Sequence, residues 1–203
     1  MGLRESKKLA TRKELADKAM ELFATRGFDH VTVAEIAAAV GVSEKTVFNY
    51  FPTKEDLFFD EVPDRARALA DAICKRRKGE SIVDSLRRLQ LSECGRLCAP
   101  GFAVFARIIE ESHALQAKEL EVMAQFAQVV AGAIRSELGV DELDATIAAG
   151  LLVSVHRQHF RTAREQALAG KSGPAAVRRL RANLERAYTL LEHGLGSLEP
   201  ARS

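Results

Sequence analysis

Residues 32–54, Thr-Val-Ala-Glu-Ile-Ala-Ala-Ala-Val-Gly-Val-Ser-Glu-Lys-Thr-Val-Phe-Asn-Tyr-Phe-Pro-Thr-Lys, restrict the fold more than any other part of the chain. Thr32 and Glu35 form a Thr-x-x-Glu capping box, in which the hydroxyl accepts from an orphan amide and the carboxylate reaches back, so a helix starts at about Val33. Gly41 can take the left-handed conformation that closes it, and Ser43 can cap the next helix, which leaves only a tight turn between the two. Ile36, Ala37 and Val40 make the apolar stripe of the first helix, and Val42, Val47 and Phe51 supply apolar positions across the turn and along the second. Pro52 ends that second helix, and Thr53 with Lys54-Glu55-Asp56 starts a further one with acids in its first turn. The pattern is a helix-turn-helix, a device that can set one helix into a DNA groove.

Read with its flanks, the segment is more specific. Gly41-Val42-Ser43-x-x-Thr46-x-Phe48-x-Tyr50-Phe51-Pro52-x-Lys54-x-x-Leu57, preceded by Ala19-x-x-Leu22-Phe23-x-x-x-Gly27-Phe28, resembles the DNA-binding domain of the TetR family of bacterial transcriptional regulators. The resemblance implies an all-α protein, with a three-helix reading domain in residues 1–53 and a larger helical ligand-binding and dimerisation domain in 54–203. It also implies a homodimer, most often a repressor, that binds a pseudo-palindromic DNA operator and is released by a small-molecule effector. Of the two readings of function, the other is a small-molecule sequestering or protein-interaction module with a vestigial helix-turn-helix. The intact Lys45, Thr46, Asn49, Tyr50 and Lys54 argue against it.

The DNA-binding candidates are Thr32, Ser43, Glu44, Lys45, Thr46, Asn49, Tyr50 and Lys54. Lys45 suits guanine, Asn49 suits adenine, and Thr46 offers a hydroxyl and a methyl to base edges. The resemblance assigns Tyr50, Thr32 and Lys54 to phosphates. Many family members carry a tyrosine where this chain has Phe48, which has no hydroxyl to offer a phosphate and is expected to give apolar packing at most.

Charge is focused rather than general: 30 Lys and Arg face 28 acids in 203 residues, a net of +2. Residues 1–13 carry Arg4, Lys7, Lys8, Arg12 and Lys13 against Glu5 alone, a net of +4, whereas residues 1–60 hold nine basic residues against ten acids. A basic arm, helix starts and a few placed side chains therefore have to hold DNA. The charged N-terminus without an apolar stretch predicts a cytoplasmic protein, and Ala145 to Val155, the most apolar run, is about half of the roughly 20 residues a membrane span needs. No cofactor, metal or membrane partner is expected. Gly-x-Ser-x-Gly, phosphate-loop and His-Glu-x-x-His signatures are absent, so the chain does not read as an enzyme. Cys74, Cys94 and Cys98 are too few for a disulfide framework; Cys94 and Cys98 share a helix face and read as core, with a redox role left open.

Periodicity and caps predict about nine helices. The first starts between Ser6 and Thr11, where Thr11 and Glu14 repeat the capping box, and stops at Gly27. After the two motif helices, one helix runs from about Lys54 to Arg77, followed by helices from the Ser81 cap to about Cys98 and from Phe102 to Glu111. The last three span about Leu115 to Leu138, the Asp141 cap to Ala169, and Pro174 to Gly194. Val177, Leu180, Leu184, Tyr188 and Leu191, with Ala145, Ala148, Ala149, Leu152, Val155 and Ala163 on the preceding helix, form apolar stripes. The resemblance makes this region the dimer surface, in a four-helix bundle with the second copy. It also places an effector pocket among the middle helices, with Phe102, Phe105, Ile109, Met123, Phe126, Leu152, His156 and Phe160 as candidate lining. His156 and His159, near Arg157 and Arg161, are candidates to orient a polar or anionic group.

Overall fold

The computed structural model describes residues 3–194, with side chains from Glu5 onward; Met1, Gly2 and the Arg4 side chain of the basic arm lie outside the described residues. The described residues form ten helices and no strand: α1 (Leu3–Arg26), α2 (Val33–Val40), α3 (Glu44–Tyr50), α4 (Lys54–Phe58), α5 (Val62–Cys74), α6 (Ile82–Leu97), α7 (Pro100–Glu111), α8 (His113–Leu138), α9 (Glu142–Leu168) and α10 (Gly173–His193). Thr32, Ser43, Thr53, Ser81 and Asp141 each accept a hydrogen bond from the amide three residues on, as their positions before apolar runs predict.

Two boundaries differ from the sequence expectation. Thr11 lies inside α1 rather than at its start, because Lys7-Lys8-Leu9-Ala10 are good helix formers, and a Thr-x-x-Glu pair caps only where the preceding chain leaves the helix. The single helix expected from Lys54 to Arg77 is two, α4 and α5, with Phe59 outside helical geometry at φ −96°, ψ 34°. Pro63 is the cause. In a continuous helix its ring would meet the carbonyl of Phe59 at a cost of about 3 kcal/mol, whereas in the first turn of a new helix its missing N–H costs nothing. This break makes the tenth helix.

The chain divides into two compact units. The first is Met1–Val62 with Arg107–Glu119, so the end of α7 and the start of α8 belong with α1–α4. Phe23, Phe28 and Phe58 meet at ring-centre distances of 4.9 and 6.3 Å, and such pairs contribute about 0.5–1.5 kcal/mol each beyond the area they bury. Leu15, Ala19, Ile36, Val47, Phe51 and Leu57 complete this core. The α7–α8 corner is tied into the same unit by three contacts. Ser112 Oγ donates to Asp29 Oδ1 at 2.8 Å, Lys118 Nζ pairs with Asp56 at 3.1 Å, and Arg107 Nη2 donates to the Ala24 carbonyl at 3.4 Å.

The second unit is Pro63–Ala106 with Leu120–Ser203. Here α10 packs along α6 and α9, and Leu180, Leu184 and Tyr188 of α10 are buried, as are Leu86 and Leu97 of α6 and Ala149 and Leu152 of α9. Each large apolar side chain so buried contributes about 1.5–3 kcal/mol. Arg87 of α6 adds ion pairs to Glu185 and Glu192 of α10. Of the stripes that the resemblance gives to a second copy, Leu180, Leu184 and Tyr188 are buried within the single chain, as are Ala145, Ala149, Leu152, Val155 and Ala163, while Val177, Leu191 and Ala148 are half-buried. An apolar stripe identifies a buried face without saying what covers it. What α9 leaves exposed is a different row, Leu143, Ile147 and Leu151, at 67, 54 and 54% exposure.

Candidate nucleic-acid interface and effector site

The helix-turn-helix is built as its residues dictate. Glu35 Oε2 accepts from the Thr32 amide at 2.8 Å, the Glu35 amide donates to Thr32 Oγ1 at 3.2 Å, and Arg26 Nη1 reaches Glu35 Oε1 at 2.8 Å. The bond from the Thr32 backbone, then that from Arg26, holds the Glu35 carboxyl down at about 2. Gly41 sits at φ +74°, where any other residue is strained, and its amide and that of Val42 return to the carbonyls of Ala38 and Ala37. Ser43 then caps α3.

One face of α3 is spent on the core and the other is open. Val47 is fully buried; Glu44, Lys45, Phe48 and Asn49 are exposed, and Thr46 and Tyr50 are half-buried. Phe48, expected to give apolar packing at most, is 46% exposed and stands on the open face among the candidate base-reading residues. The Thr46 hydroxyl shares a 2.9 Å hydrogen bond with that of Ser43, so both caps and candidate contacts draw on the same oxygens.

Two cations have internal work. Lys54 Nζ donates to the carbonyls of Phe28 and Val31, both at 3.0 Å, and stands 4.1 Å from the Phe28 ring centre. Two of its three protons are thus committed to joining α4 to the loop between α1 and α2. Arg12, counted in the basic arm, donates to the carbonyl of Tyr50 at 3.0 Å and to that of Asp60 at 3.2 Å, with its guanidinium 4.2 Å from the Phe51 ring centre. It braces the C-terminal end of α3. Its spacing of 38 residues from Tyr50 left no local signal, although a lone cation on an otherwise apolar helix face is a sign worth weighing. Lys13 is paired with Asp17.

In the second unit, α7, α8 and α9 bring Phe102, Phe105, Phe126, His156 and Phe160 into one aromatic cluster. Phe102 stacks on Phe105 at 5.7 Å and meets Phe160 at 6.4 Å; His156 lies 5.4 Å from Phe126 and 4.9 Å from Phe160, centre to centre. Leu152 is buried and Met123 half-buried in the same unit, whereas Ile109, also fully buried, belongs to the first unit. Burial, and then the charge of His159, pushes the His156 imidazole down to about 3; burial pushes His159 to about 4, and both are neutral near neutral pH. Cys94 Sγ lies 4.0 Å from His159 Nε2, with its thiol pushed up to about 11 by burial, so it is not a reactive thiolate. Arg157 and Arg161 point to solvent on the opposite side of α9, the latter paired with Glu165 at 2.9 Å, and do not join the histidines. Among the described residues no three His, Cys, Asp or Glu gather as a metal site, and no helix is long and apolar enough to cross a membrane.

Residues 15–60 match the family model for bacterial regulatory proteins of the tetR family. The HTH-type transcriptional regulator TcmR of Streptomyces glaucescens is 29% identical over 164 residues, which span 77% of this chain and 72% of its own. The HTH-type transcriptional repressor AcnR of Corynebacterium jeikeium is 30% identical over 82 residues, 40% of this chain and 41% of its own. The crystal structure of Thermus thermophilus FadR, a TetR-family transcriptional repressor in complex with lauroyl-CoA, is alike in fold, with a TM-score of 0.55 at 24% identity over 95% of this chain and 96% of its own.

Proposed function

Since the chain belongs to the TetR family of bacterial regulatory proteins, we propose that it is a homodimeric transcription regulator that represses by binding a pseudo-palindromic operator and lets go when a small molecule enters its second unit. The observation that carries this reading is the division of α3 into a buried anchor, Val47, and an open face of Glu44, Lys45, Phe48 and Asn49 at the end of a tight, doubly capped turn. A rigid helix with hydrogen-bonding side chains on its free face suits the major groove, where Lys45 and Asn49 can discriminate guanine and adenine. Thr32, Ser43, Thr46, Tyr50 and the remaining proton of Lys54 are assigned to the phosphates beside it.

A dimer follows from the palindrome, since two half-sites require two reading heads. The exposed row Leu143, Ile147 and Leu151 on α9 is the surface assigned to the second copy. The effector is assigned to the aromatic cluster around His156, where preference for a conformer that misaligns the heads by about 1–3 kcal/mol would lower operator occupancy 5- to 150-fold. The test is a salt-titrated footprint on the DNA flanking the chain's own gene, together with a reporter in cells lacking the protein. Repression predicts a protected palindrome and a reporter that rises on deletion; activation predicts a fall, and no protected sequence there or genome-wide defeats the reading.

A further inference from the structure

His156 is 3% exposed, and neither ring nitrogen has a hydrogen-bond partner. A neutral imidazole carries one N–H donor and one acceptor nitrogen, and both are here stripped of water and covered by protein. The rings of Phe126 and Phe160 lie 5.4 and 4.9 Å from the imidazole, centre to centre, and His159, one turn along the same helix, also has an unpartnered Nδ1. Such a group costs the fold free energy that an apolar residue of the same shape would not. A ligand that supplied the missing bond would recover it.

Resting on the reading of the second unit as effector-binding, we propose that the cluster of Phe102, Phe126, His156 and Phe160 takes an uncharged, flat, largely apolar molecule bearing a hydroxyl, and that His156 recognises that hydroxyl. The Phe rings supply faces for stacking. A hydroxyl both donates and accepts, so it satisfies whichever tautomer of His156 it meets. An anion is disfavoured because the cations nearest the cluster are committed elsewhere. Arg65 lies over the Phe160 ring, 4.5 Å from its centre, and pairs with Glu93 at 3.7 Å; Arg161 pairs with Glu165 and, like Arg157, is exposed. A carboxylate driven into the cluster would be desolvated without compensation. Entry requires the cluster to open, since both nitrogens are buried in the free protein.

The experiment is calorimetric titration of the full chain with three probes of one shape: naphthalene, 2-naphthol and 2-naphthoate. Wild type is expected to bind 2-naphthol about tenfold tighter than naphthalene, the worth of one hydrogen bond in a dry site, and 2-naphthoate more weakly than 2-naphthol. His156→Phe should keep naphthalene binding, abolish the preference for the hydroxyl and raise the melting temperature; His156→Gln should retain part of the preference. Tight binding of 2-naphthoate, or an unchanged preference in His156→Phe, overturns the chemical class alone. Failure of all three probes to bind wild type overturns the effector site as well as the class.

Discussion

Acidification to about pH 5 should destabilise this protein well before its carboxylates titrate. His156 and His159 are held neutral by burial at about 3 and 4, against 6.5 for a free imidazole, so between those values the unfolded chain binds protons that the folded chain refuses. Stability contributed by a depressed base is fully present above about 6.5 and is lost as pH falls below it. At about pH 5 each histidine is 1.5 pH units below its unfolded midpoint, which at 1.36 kcal/mol per unit costs about 2 kcal/mol each and about 4 kcal/mol for the pair. The depressed carboxyls Glu35 and Glu80, both at about 2 when folded, lose their contribution only below their free value of 4.5 and leave this window alone. Urea unfolding at fixed protein concentration, at about pH 7.5, 6.5 and 5, measures the loss. The double variant His156→Phe, His159→Phe should flatten it. A wild-type stability constant to within about 1 kcal/mol across the window, or an equal slope in the double variant, refutes the claim that both rings are buried and neutral.

Three further outcomes bear on the reading head and the assembly. Arg12→Ala removes two charge-assisted hydrogen bonds and a ring contact, so it should cost about 2–3 kcal/mol of stability by denaturant unfolding. Because the Arg12 guanidinium is engaged by the carbonyls of Tyr50 and Asp60, DNA affinity should fall while the salt slope stays unchanged. Lys54→Met should cost about 1.5–3 kcal/mol through the abandoned carbonyls of Phe28 and Val31, read as a lower melting temperature without DNA; an unshifted melting curve would deny that these bonds matter. Ile147→Glu, at an exposed site, should leave helicity unchanged while halving the mass by sedimentation and abolishing operator binding; an intact dimer would move the interface elsewhere.

The reading head was legible because its signals are local. Caps at Thr32, Ser43 and Thr53, the left-handed Gly41 and the buried Val47 are each decided within a few residues, and each is where the sequence places it. The helix expected from Lys54 to Arg77 followed the apolar periodicity of Leu57, Phe58, Val62 and Leu69, which the bar that Pro63 sets against a helix through residue 59 outranks. What sequence could not supply is long-range. Arg12 and Lys54 are basic residues near a DNA-reading motif, and only the fold reveals that backbone carbonyls 38 and 26 residues away engage them. The α10 stripe has the period of a buried face, but whether α6 or a second copy covers it is a question of topology. Arg157 and Arg161 sit beside the histidines in sequence, yet helical geometry turns them to the opposite side of α9.

Whether the open face of α3 reads DNA decides the proposed function. The most direct measurement is a footprint of the chain's upstream DNA with wild type and with Lys45→Ala, Asn49→Ala, two exposed substitutions that leave the core untouched. Expected are a protected palindrome whose half-sites lie on one face of the duplex and a weakening of about 2–6 kcal/mol in the double variant, with helicity and melting temperature unchanged. Protection that survives the double substitution, or a wild-type protein that protects no sequence, would contradict that reading.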